Sequence, residues 1–348
     1  MQLELAVVIL NFNGSQHLRT FLPSVLEHTP YPIFVADNGS TDDSLDFLRS
    51  TYPTVQLIEL PVNYGFAGGY NEALKLIDAE YYILLNSDVQ VTPVWVEPLL
   101  AQLKSESDTA ACQPKILDYK NPGLFEYAGA SGGFIDRYAY PFCRGRIFDH
   151  CERSIGQHDD TRSVFWATGA CMLVRASSFW EVGGFDSDLF AHMEEIDLCW
   201  RLRNRGYTIS CAPESKVYHL GGGTLSSQSP RKTYLNFRNN LIVMYKNDRR
   251  GNFGSRFFLR LMLDGVAAIQ ILFTKGWHHF AAIFKAHISF YANFRSHSAK
   301  RESERLQSLQ PNLTGCYERS IVWDYFWKGR KVFGALPTIA FKRQDRKK

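Results

Sequence analysis

Acidic side chains that directly follow apolar runs are the first candidates for chemistry in this chain. Asp37 ends one such run, and a carboxylate there can accept the N3–H of uracil or thymine; a helix-capping turn is the alternative. Asp88, in the triplet Asn86-Ser87-Asp88, follows the most apolar run. Because hard cations prefer oxygen ligands, Asp88 could bind a divalent cation that bridges two phosphates, although an aspartate in this place is also a common helix cap.

Paired glutamates and a histidine add acid–base candidates. Glu194 and Glu195 adjoin the predicted start of a helix, where repulsion between the two carboxylates raises one pKa and favours a general base. Acidic residues that stabilise a helix N-terminus are the alternative. His219 follows a strand-like run and precedes three glycines, so it is either a metal ligand beside amides that face phosphate or a structural histidine. The glycine-rich segment 63–71 lets a ligand approach the backbone closely.

The elements that must position these residues are typical of a parallel α/β fold. Short apolar runs predict buried strands over residues 5–10, 33–36, 55–60 and 81–85. Helical patterns cover residues 16–28, 42–50, 195–205 and 231–247. Repeated β-α-β order predicts a doubly wound sheet, and ligands of such sheets bind beyond the carboxyl ends of the strands. Residues 120–165 lack a clear period, which predicts a flexible or substrate-facing insertion.

Composition and charge bound the class of protein. The 348 residues are 45% hydrophobic and 21% charged, which excludes a disordered chain, collagen and a small disulfide scaffold. The net charge of +4 hides a split, because residues 1–248 carry 20 Lys and Arg against 29 Asp and Glu, whereas residues 249–348 carry 19 against 6. Seven cysteines without a C-x-x-C pair favour buried thiols in a reducing compartment, and no signal-peptide pattern precedes the first strand. We therefore expect a cytoplasmic protein.

The basic C-terminal region suggests a negatively charged partner. Residues 259–273 are mostly apolar but interrupted by Arg260 and Asp264, which argues against a membrane span. With a second apolar stretch, 277–294, they predict amphipathic helices that lie on the inner membrane surface; packing on the catalytic domain is the alternative. The terminal cluster from Lys342 to Lys348 could bind nucleic acid. Because no recognition helix or base-stacking motif accompanies it, we expect no nucleic-acid partner.

Seven motifs over about 240 residues then occur in the order found in one enzyme family. They are VVILNFNG (7–14), VADNGSTDDS (35–44), NYGFAGGYNEAL (63–74), LLNSDV (84–89), ATGACMLVR (167–175), GGFDSDLFAHMEEIDLCWRLRNRGY (183–207) and VYHLGGGT (217–224). On these motifs the chain resembles the family 2 glycosyltransferases of GT-A fold, especially their bacterial rhamnosyltransferase branch. The resemblance implies a Rossmann-like, mostly parallel central sheet flanked by helices, with a C-terminal helical extension. It implies a donor-binding half over 1–120, an acceptor and catalytic half over 121–248, and a basic helical region over 249–348.

The resemblance also implies a nucleotide site. It places Asp37 on a pyrimidine base with Asn11 and Asn13 lining that pocket, and Phe12 replaces the more usual tyrosine that would stack there. The remaining positions that it assigns to nucleotide binding are Asn63, Gly68, Asn71, Asn86 and Ser87.

Metal and base positions follow from the same resemblance. Asp88 matches the last carboxylate of the D-x-D metal motif, with the neutral Asn86 at its first position, and His219 matches a position near the metal or diphosphate. These residues imply a bound Mn²⁺ or Mg²⁺. Glu195 falls at the general base, where aspartate is commoner, and its companion Glu194 stays open as an alternative base.

The implied activity is transfer of a sugar, with inversion, from a nucleoside diphosphate donor to a hydroxyl of a glycan or lipid-linked saccharide in cell-surface polysaccharide synthesis. Thymidine diphosphate rhamnose is the first donor to test. One alternative is a nucleotidyltransferase that makes sugar nucleotides, although the loop from Asn11 to Leu18 lacks the basic residues that such enzymes use for a triphosphate. The other is a non-catalytic binding protein on the same fold.

Overall fold

The predicted apolar runs form the centre of a nine-stranded sheet in the computed structural model, which describes residues 2–221, 229–309 and 311–342. The strands are β1 (Leu3–Asn11), β2 (Ile33–Asp37), β3 (Gln56–Glu59), β4 (Ala79–Asn86), β5 (Val89–Val91), β6 (Thr109–Asp118), β7 (Gly133–Asp136), β8 (Pro141–Cys143), β9 (Arg146–Ile147), β10 (His150–Cys151), β11 (Arg162–Val164), β12 (Cys171–Arg175), β13 (Thr208–His219) and β14 (Cys316–Tyr317). The large sheet has the order β11-β13-β6-β12-β4-β1-β2-β3, with β5 paired to β13. Strands β4, β1, β2 and β3 are parallel neighbours, as are β6 and β13, and the antiparallel β12 joins the two groups.

Helices cover both faces of this sheet. They are α1 (Ser15–His28), α2 (Ser44–Thr51), α3 (Gly65–Leu74), α4 (Glu97–Ser105), α5 (Ala176–Glu181), α6 (Glu194–Asn204), α7 (Pro230–Asn247), α8 (Phe253–Lys275), α9 (Trp277–Ala292), α10 (Phe294–Gln307) and α11 (Ile321–Phe326). Alternate side chains of β1 enter different cores: Leu5 and Val7 pack with α1, α2 and α4, whereas Ala6 and Val8 pack with α3, α5 and α6. A strand that is apolar on both faces is buried between two layers of helices, which confirms the predicted fold class.

Residues 120–165, predicted to be a flexible or substrate-facing insertion, include regular strands. They contain β11 and the four short strands β7 to β10, and these four strands make a second sheet with β14 in the order β10-β9-β8-β7-β14. These strands are only two to four residues long, too short for a period of two to be visible in the sequence. Their core is aromatic and includes side chains from the C-terminal region: Phe134, Phe142, Tyr317, Phe333 and Phe341.

The C-terminal region begins with a helix longer than the predicted 259–273. Helix α8 has 23 residues and, by length and composition alone, could cross a membrane. Helix α7 links this region to the rest of the chain, because Lys246 near its end contacts Asp197 of α6 at 2.8 Å. On the other side of α7, Tyr234 donates a hydrogen bond to Ser289 of α9 at 3.0 Å. The division at residues 120 and 248 stays a prediction. The glycines after Gly221 and the terminal cluster after Lys342 lie outside the described residues.

Candidate active site

Strand register places the predicted residues side by side. Asn11 is the register partner of Asp37 in the β1–β2 pair, and Leu10 is that of Asn86 in the β1–β4 pair. His219, at the end of β13, lies opposite Val89 of β5. The carboxyl ends of β1, β2 and β4 therefore meet at one edge of the sheet, and β13 brings its histidine to the turn that follows β4.

A buried amide–carboxylate pair forms the first part of this edge. The Nδ2 of Asn11 donates to Oδ1 of Asp37 at 2.9 Å, and the backbone N–H of Ser40 donates to the other Asp37 oxygen at 2.9 Å. Each carboxylate oxygen has a second lone pair. The Oδ1 of Asn11 is buried and finds no hydrogen-bond partner among the described residues. The pair thus keeps acceptor capacity for a ligand that donates.

The loop after β1 supplies an aromatic ring beside this pair. Phe12 is 38% exposed, so its ring is free to stack on a planar group. Asn13 lies in the left-handed region with φ +50°, and its Oδ1 accepts the backbone N–H of Thr41 at 2.7 Å. The structure thus ties the loops after β1 and β2 together through Asn13.

The polar side chains of the glycine-rich segment (residues 63–71) are hydrogen-bonded to other parts of the protein. The Oδ1 of Asn63 accepts the backbone N–H of Gly65 at 2.8 Å. The side chain of Asn71 donates to the carbonyl of Phe185 at 2.8 Å and accepts from its N–H at 2.9 Å. A β-carbon at Gly68 would lie 3.0 Å from Cβ of Tyr64, so the glycine permits close packing. A nucleotide-binding role for Asn63, Gly68 and Asn71 stays a prediction.

A buried histidine lies between two carboxylates. The Nε2 of His219 is 3.1 Å from Oδ1 of Asp88, and its Nδ1 is 3.3 Å from Oε1 of Glu126. The amide of Asn86 approaches the same Nε2 at 3.5 Å. Burial alone would lower the pKa of His219, but the two carboxylates raise it to about 10. Burial would raise the pKa of Asp88, yet the neighbouring His219 holds it below its ordinary value.

This group suits a divalent cation. A hard carboxylate oxygen and an imidazole nitrogen face each other, and a carboxylate on the far imidazole nitrogen is the usual orienting partner of a metal-binding histidine. Within the described residues, no three or more His, Cys, Asp or Glu side chains form a metal site. The assignment of Asp88 and His219 as metal ligands stays a prediction. Ser87, next to Asp88, lies near the β1 loop, because a β-carbon at Gly14 would be 3.5 Å from its Oγ.

The two glutamates at the start of α6 differ in their surroundings. Burial and the neighbouring Glu195 raise the pKa of Glu194 well above its ordinary value. Burial raises the pKa of Glu195 to about 7. Each side chain has a buried Oε2 without a hydrogen-bond partner among the described residues. A carboxylate that titrates near pH 7 and has an unpaired oxygen is suited to accept a proton from a substrate.

The backbone that leads into this pair is strained. Phe190, His192 and Met193 have φ angles of +62°, +70° and +74°, a region in which each non-glycine residue costs about 1–3 kcal/mol. Asn239 of α7 holds this turn, because its buried Nδ2 lies 2.7–2.9 Å from the carbonyl oxygens of Leu189, Ala191 and His192. The position of Glu195 therefore depends on α7.

A comparison with known families decides the class of this site. The description "Glycosyl transferase family 2" matches residues 6–183, just over half of the chain. The chain is a family 2 glycosyltransferase. The match covers the pair Asn11–Asp37 and the turn at Asp88, whereas the glutamate pair and His219 lie beyond it.

Curated relatives of this glycosyltransferase include two named transferases. An N-acetylglucosaminyl-diphospho-decaprenol L-rhamnosyltransferase of Mycobacterium tuberculosis is 30% identical over 231 residues, which are 62% of this chain and 75% of the relative. A low-salt glycan biosynthesis hexosyltransferase of Haloferax volcanii is 21% identical over 300 residues, 81% of this chain and 90% of that protein. Rhamnosyltransferases are thus among the homologues.

Solved structures support the fold of the glycosyltransferase. GalNAc-T7, crystallised with UDP, GalNAc and Mn²⁺, has a TM-score of 0.58 at 16% identity; the likeness covers 85% of this chain and 58% of GalNAc-T7. A mannosyltransferase of Pyrobaculum calidifontis, in complex with GDP-Man and Mn²⁺, has a TM-score of 0.50 at 14% identity. The likeness covers 88% of this chain and 87% of the mannosyltransferase. Both are GT-A glycosyltransferases, which agrees with the predicted fold.

Two residues of the glycosyltransferase site were not predicted from its sequence. Glu126 lies at the start of the aperiodic segment, where nothing in the sequence relates it to His219. Asn239 did leave a signal, because it occupies the same stripe of α7 as the buried Leu235 and Val243, four residues before and after it. A polar residue in an apolar stripe needs buried partners, and here those partners are the carbonyls that precede Glu195.

We expect Asn239→Asp to lower the kcat of the glycosyltransferase by about 10- to 100-fold with a smaller change in donor KM. The substitution keeps the size of the side chain but sets carboxylate oxygens against three carbonyl oxygens, which releases the strained turn. Steady-state kinetics would measure the split, with Asn236→Asp on the exposed side of the same helix as control. An Asn239→Asp enzyme with the kcat of the wild type would show that the turn does not position the base.

Proposed function

We propose that this enzyme transfers a sugar, with inversion, from a pyrimidine nucleoside diphosphate donor to a hydroxyl of a lipid-linked saccharide. Thymidine diphosphate rhamnose is the first donor to test, and cell-surface polysaccharide synthesis is the process that we infer. We also propose that the enzyme works at the cytoplasmic face of the membrane, where a lipid-linked acceptor would be reached. The observation that carries the proposal is Glu195, a carboxylate with a pKa raised to about 7 and a buried oxygen without a partner among the described residues. A β-carbon at Gly169 would lie 3.8 Å from Cβ of Glu195, and the carbonyl of the next residue, Ala170, accepts the N–H of Asn86 at 3.0 Å.

In this mechanism Glu195 removes the proton from the acceptor hydroxyl as that oxygen attacks the anomeric carbon. The attack comes from the face opposite the diphosphate, so one displacement inverts the configuration and needs no enzyme nucleophile. Glu194 would stay protonated, because its pKa is raised well above that of an ordinary glutamate, and would leave Glu195 as the single base. Proton transfer to a positioned base of this kind contributes about 10²–10⁴-fold to the rate.

Donor recognition would rest on the amide–carboxylate pair. Asp37 has lone pairs left for the N3–H of uracil or thymine, and Phe12 offers an exposed ring for stacking. A divalent cation held by Asp88 and His219 would neutralise negative charge on the leaving diphosphate. Mn²⁺ is the first ion to test, since both solved neighbours were determined with it.

The acceptor class is supported by the relative from M. tuberculosis, whose name places its acceptor sugar on a diphospho-decaprenol. A saccharide carried on a polyprenyl diphosphate is therefore the acceptor to test first. Its saccharide part would bring the hydroxyl to Glu195.

The test of this proposal is a panel of thymidine, uridine and guanosine diphosphate sugars, assayed with Mn²⁺ and a polyprenyl-diphosphate-linked saccharide. We expect nucleoside diphosphate release with a pyrimidine donor, together with a glycosylated lipid product. The variant that tests the role of Asp37 is Asp37→Asn, which keeps the shape of the Asn11–Asp37 pair and replaces one acceptor oxygen with an amide donor. Preference for the guanosine donor would contradict the assignment of Asp37. Release of pyrophosphate from a nucleoside triphosphate and a sugar 1-phosphate, assayed in parallel, would identify a nucleotidyltransferase instead.

A further inference from the structure

Helix α8 has the reverse of the polarity expected for a helix on the surface of a water-soluble domain. The side chains that it buries against the protein are mainly charged: Arg256, Arg260, Asp264 and Ala268. The side chains on its other face are exposed and apolar: Phe258, Leu259, Met262, Val266, Ile269 and Phe273. Only 17% of its apolar window is buried inside the protein. An apolar stripe that runs along a whole helix is suited to an apolar medium outside the protein.

The charged stripe holds α8 against the catalytic domain. Arg260 donates to Oδ1 of Asp264 at 2.8 Å and to the carbonyl of Tyr138 at 3.1 Å. The hydroxyl of Tyr140 donates to the same carboxylate at 3.0 Å. If α8 left the domain to cross a bilayer, this ion pair would lose its bonds to Tyr138 and Tyr140 and would enter hydrocarbon, which is unfavourable. The helix has the length of a membrane span, but its charged residues keep one side of it on the protein.

The neighbouring helix extends the apolar face and adds positive charge. Helix α9 follows α8 after Gly276 and exposes Trp277, Phe284, Ile288 and Tyr291. Lys275 and Lys285 are exposed among these residues. In the α8–α9 hairpin (residues 253–292), every residue of which is described, the only acidic residue is the buried Asp264. The exposed side of the hairpin therefore combines apolar side chains, an exposed tryptophan and cations.

We propose that this outward face lies flat in the headgroup region of an anionic lipid bilayer, with α8 parallel to the membrane plane. Apolar side chains would enter the boundary between headgroups and acyl chains, and Lys275 and Lys285 would meet lipid phosphates. A second copy of the chain fits less well, because a symmetric contact across this face would bring four lysines together without an acidic partner. The proposal does not depend on the identity of the donor or acceptor.

The test is co-sedimentation of the full chain with phosphatidylcholine vesicles that contain or lack about 30 mol% phosphatidylglycerol. The main variant is Met262→Gln/Val266→Gln/Ile269→Gln, which removes apolar side chains from exposed positions and keeps residues compatible with a helix. The matched control is Leu76→Gln/Ile155→Gln, two exposed apolar residues outside the hairpin. A third variant, Lys275→Gln/Lys285→Gln, tests the charge.

We expect the wild type and the control to bind anionic vesicles equally, and the triple variant to bind at least about ten-fold more weakly. The lysine variant should lose the preference for anionic over neutral vesicles. Unchanged vesicle binding by the triple variant would overturn the proposal. It would also be overturned if the wild type were a dimer, the triple variant were a monomer, and both bound vesicles equally, because the exposed face would then contact a second copy of the chain. Bound protein that resists extraction with alkaline carbonate would show that α8 spans the bilayer. None of these measurements uses a sugar donor, so they are independent of the proposed transfer activity.

Discussion

The variant Glu195→Gln is expected to lower kcat for sugar transfer by about 10³-fold, because glutamine keeps the shape of glutamate and cannot accept the proton of the acceptor hydroxyl. Donor binding should change little, since Glu195 is proposed to act on the acceptor. The measurement is the initial rate of nucleoside diphosphate release at saturating donor and acceptor, together with the donor Kd.

The glutamate pair provides its own matched control. Glu194→Gln replaces a carboxyl group that is expected to be protonated already, because burial and Glu195 raise its pKa well above the ordinary range. This variant should therefore keep most of the activity. If Glu194→Gln were inactive and Glu195→Gln active, the roles of the two residues would be reversed.

The pH profile gives a second measure of the same base. Since the pKa of Glu195 is raised to about 7 and only the deprotonated carboxylate accepts a proton, kcat/KM should rise as the pH passes upward through about 7 and then level off. A rate that stayed constant from pH 5.5 to pH 8 would exclude a base with this pKa.

The second large effect is expected at Asp88. Asp88→Asn should weaken Mn²⁺ binding and lower metal-dependent transfer by about 100-fold or more, because a neutral amide oxygen replaces the only carboxylate proposed as a direct ligand. Titration of Mn²⁺ in the presence of nucleoside diphosphate would measure the affinity. Asp108→Asn, an exposed aspartate that precedes β6, is the control.

The outcome at Asp88 separates binding from catalysis. A variant that needs more Mn²⁺ for half-maximal rate and recovers activity at high Mn²⁺ would place Asp88 on the metal. A variant with unchanged Mn²⁺ affinity and a normal rate would contradict the assignment, and His219 would then have to be explained as a structural partner of Glu126.

The sequence predicted the parts of this fold that have a readable period. Continuous apolar strands such as residues 5–10 are buried on both faces, and the polar residue that ends each of them marks the edge of the sheet. For this reason Asp37 and Asp88 could be identified as candidates before the structure. Glu195 was identified instead from the paired glutamates at the predicted start of a helix. The helix at 231–247 was predicted within one residue of its start.

The rest could not be predicted because it depends on contacts between distant segments. The strands β7 to β10 are too short to show alternation, and Glu126 precedes them by sequence but meets His219 only in three dimensions. Periodicity in α8 shows two faces, yet it cannot tell which face meets the protein. The structure places the ions inward, where Arg260 and Asp264 find partners 100 or more residues away.

Helix α7 contacts both the turn that precedes Glu195 and the α8–α9 hairpin. It holds the turn before Glu195 through Asn239, and it holds the α8–α9 hairpin through Tyr234 and through Thr233, whose hydroxyl lies 2.8 Å from Nδ1 of His279. With that hairpin on lipid, as proposed, Glu195 would lie at a fixed distance from the bilayer. A lipid-linked saccharide one unit shorter or longer would then present its hydroxyl at a different distance from Glu195, so we expect the enzyme to select acceptors by glycan length as well as by chemistry.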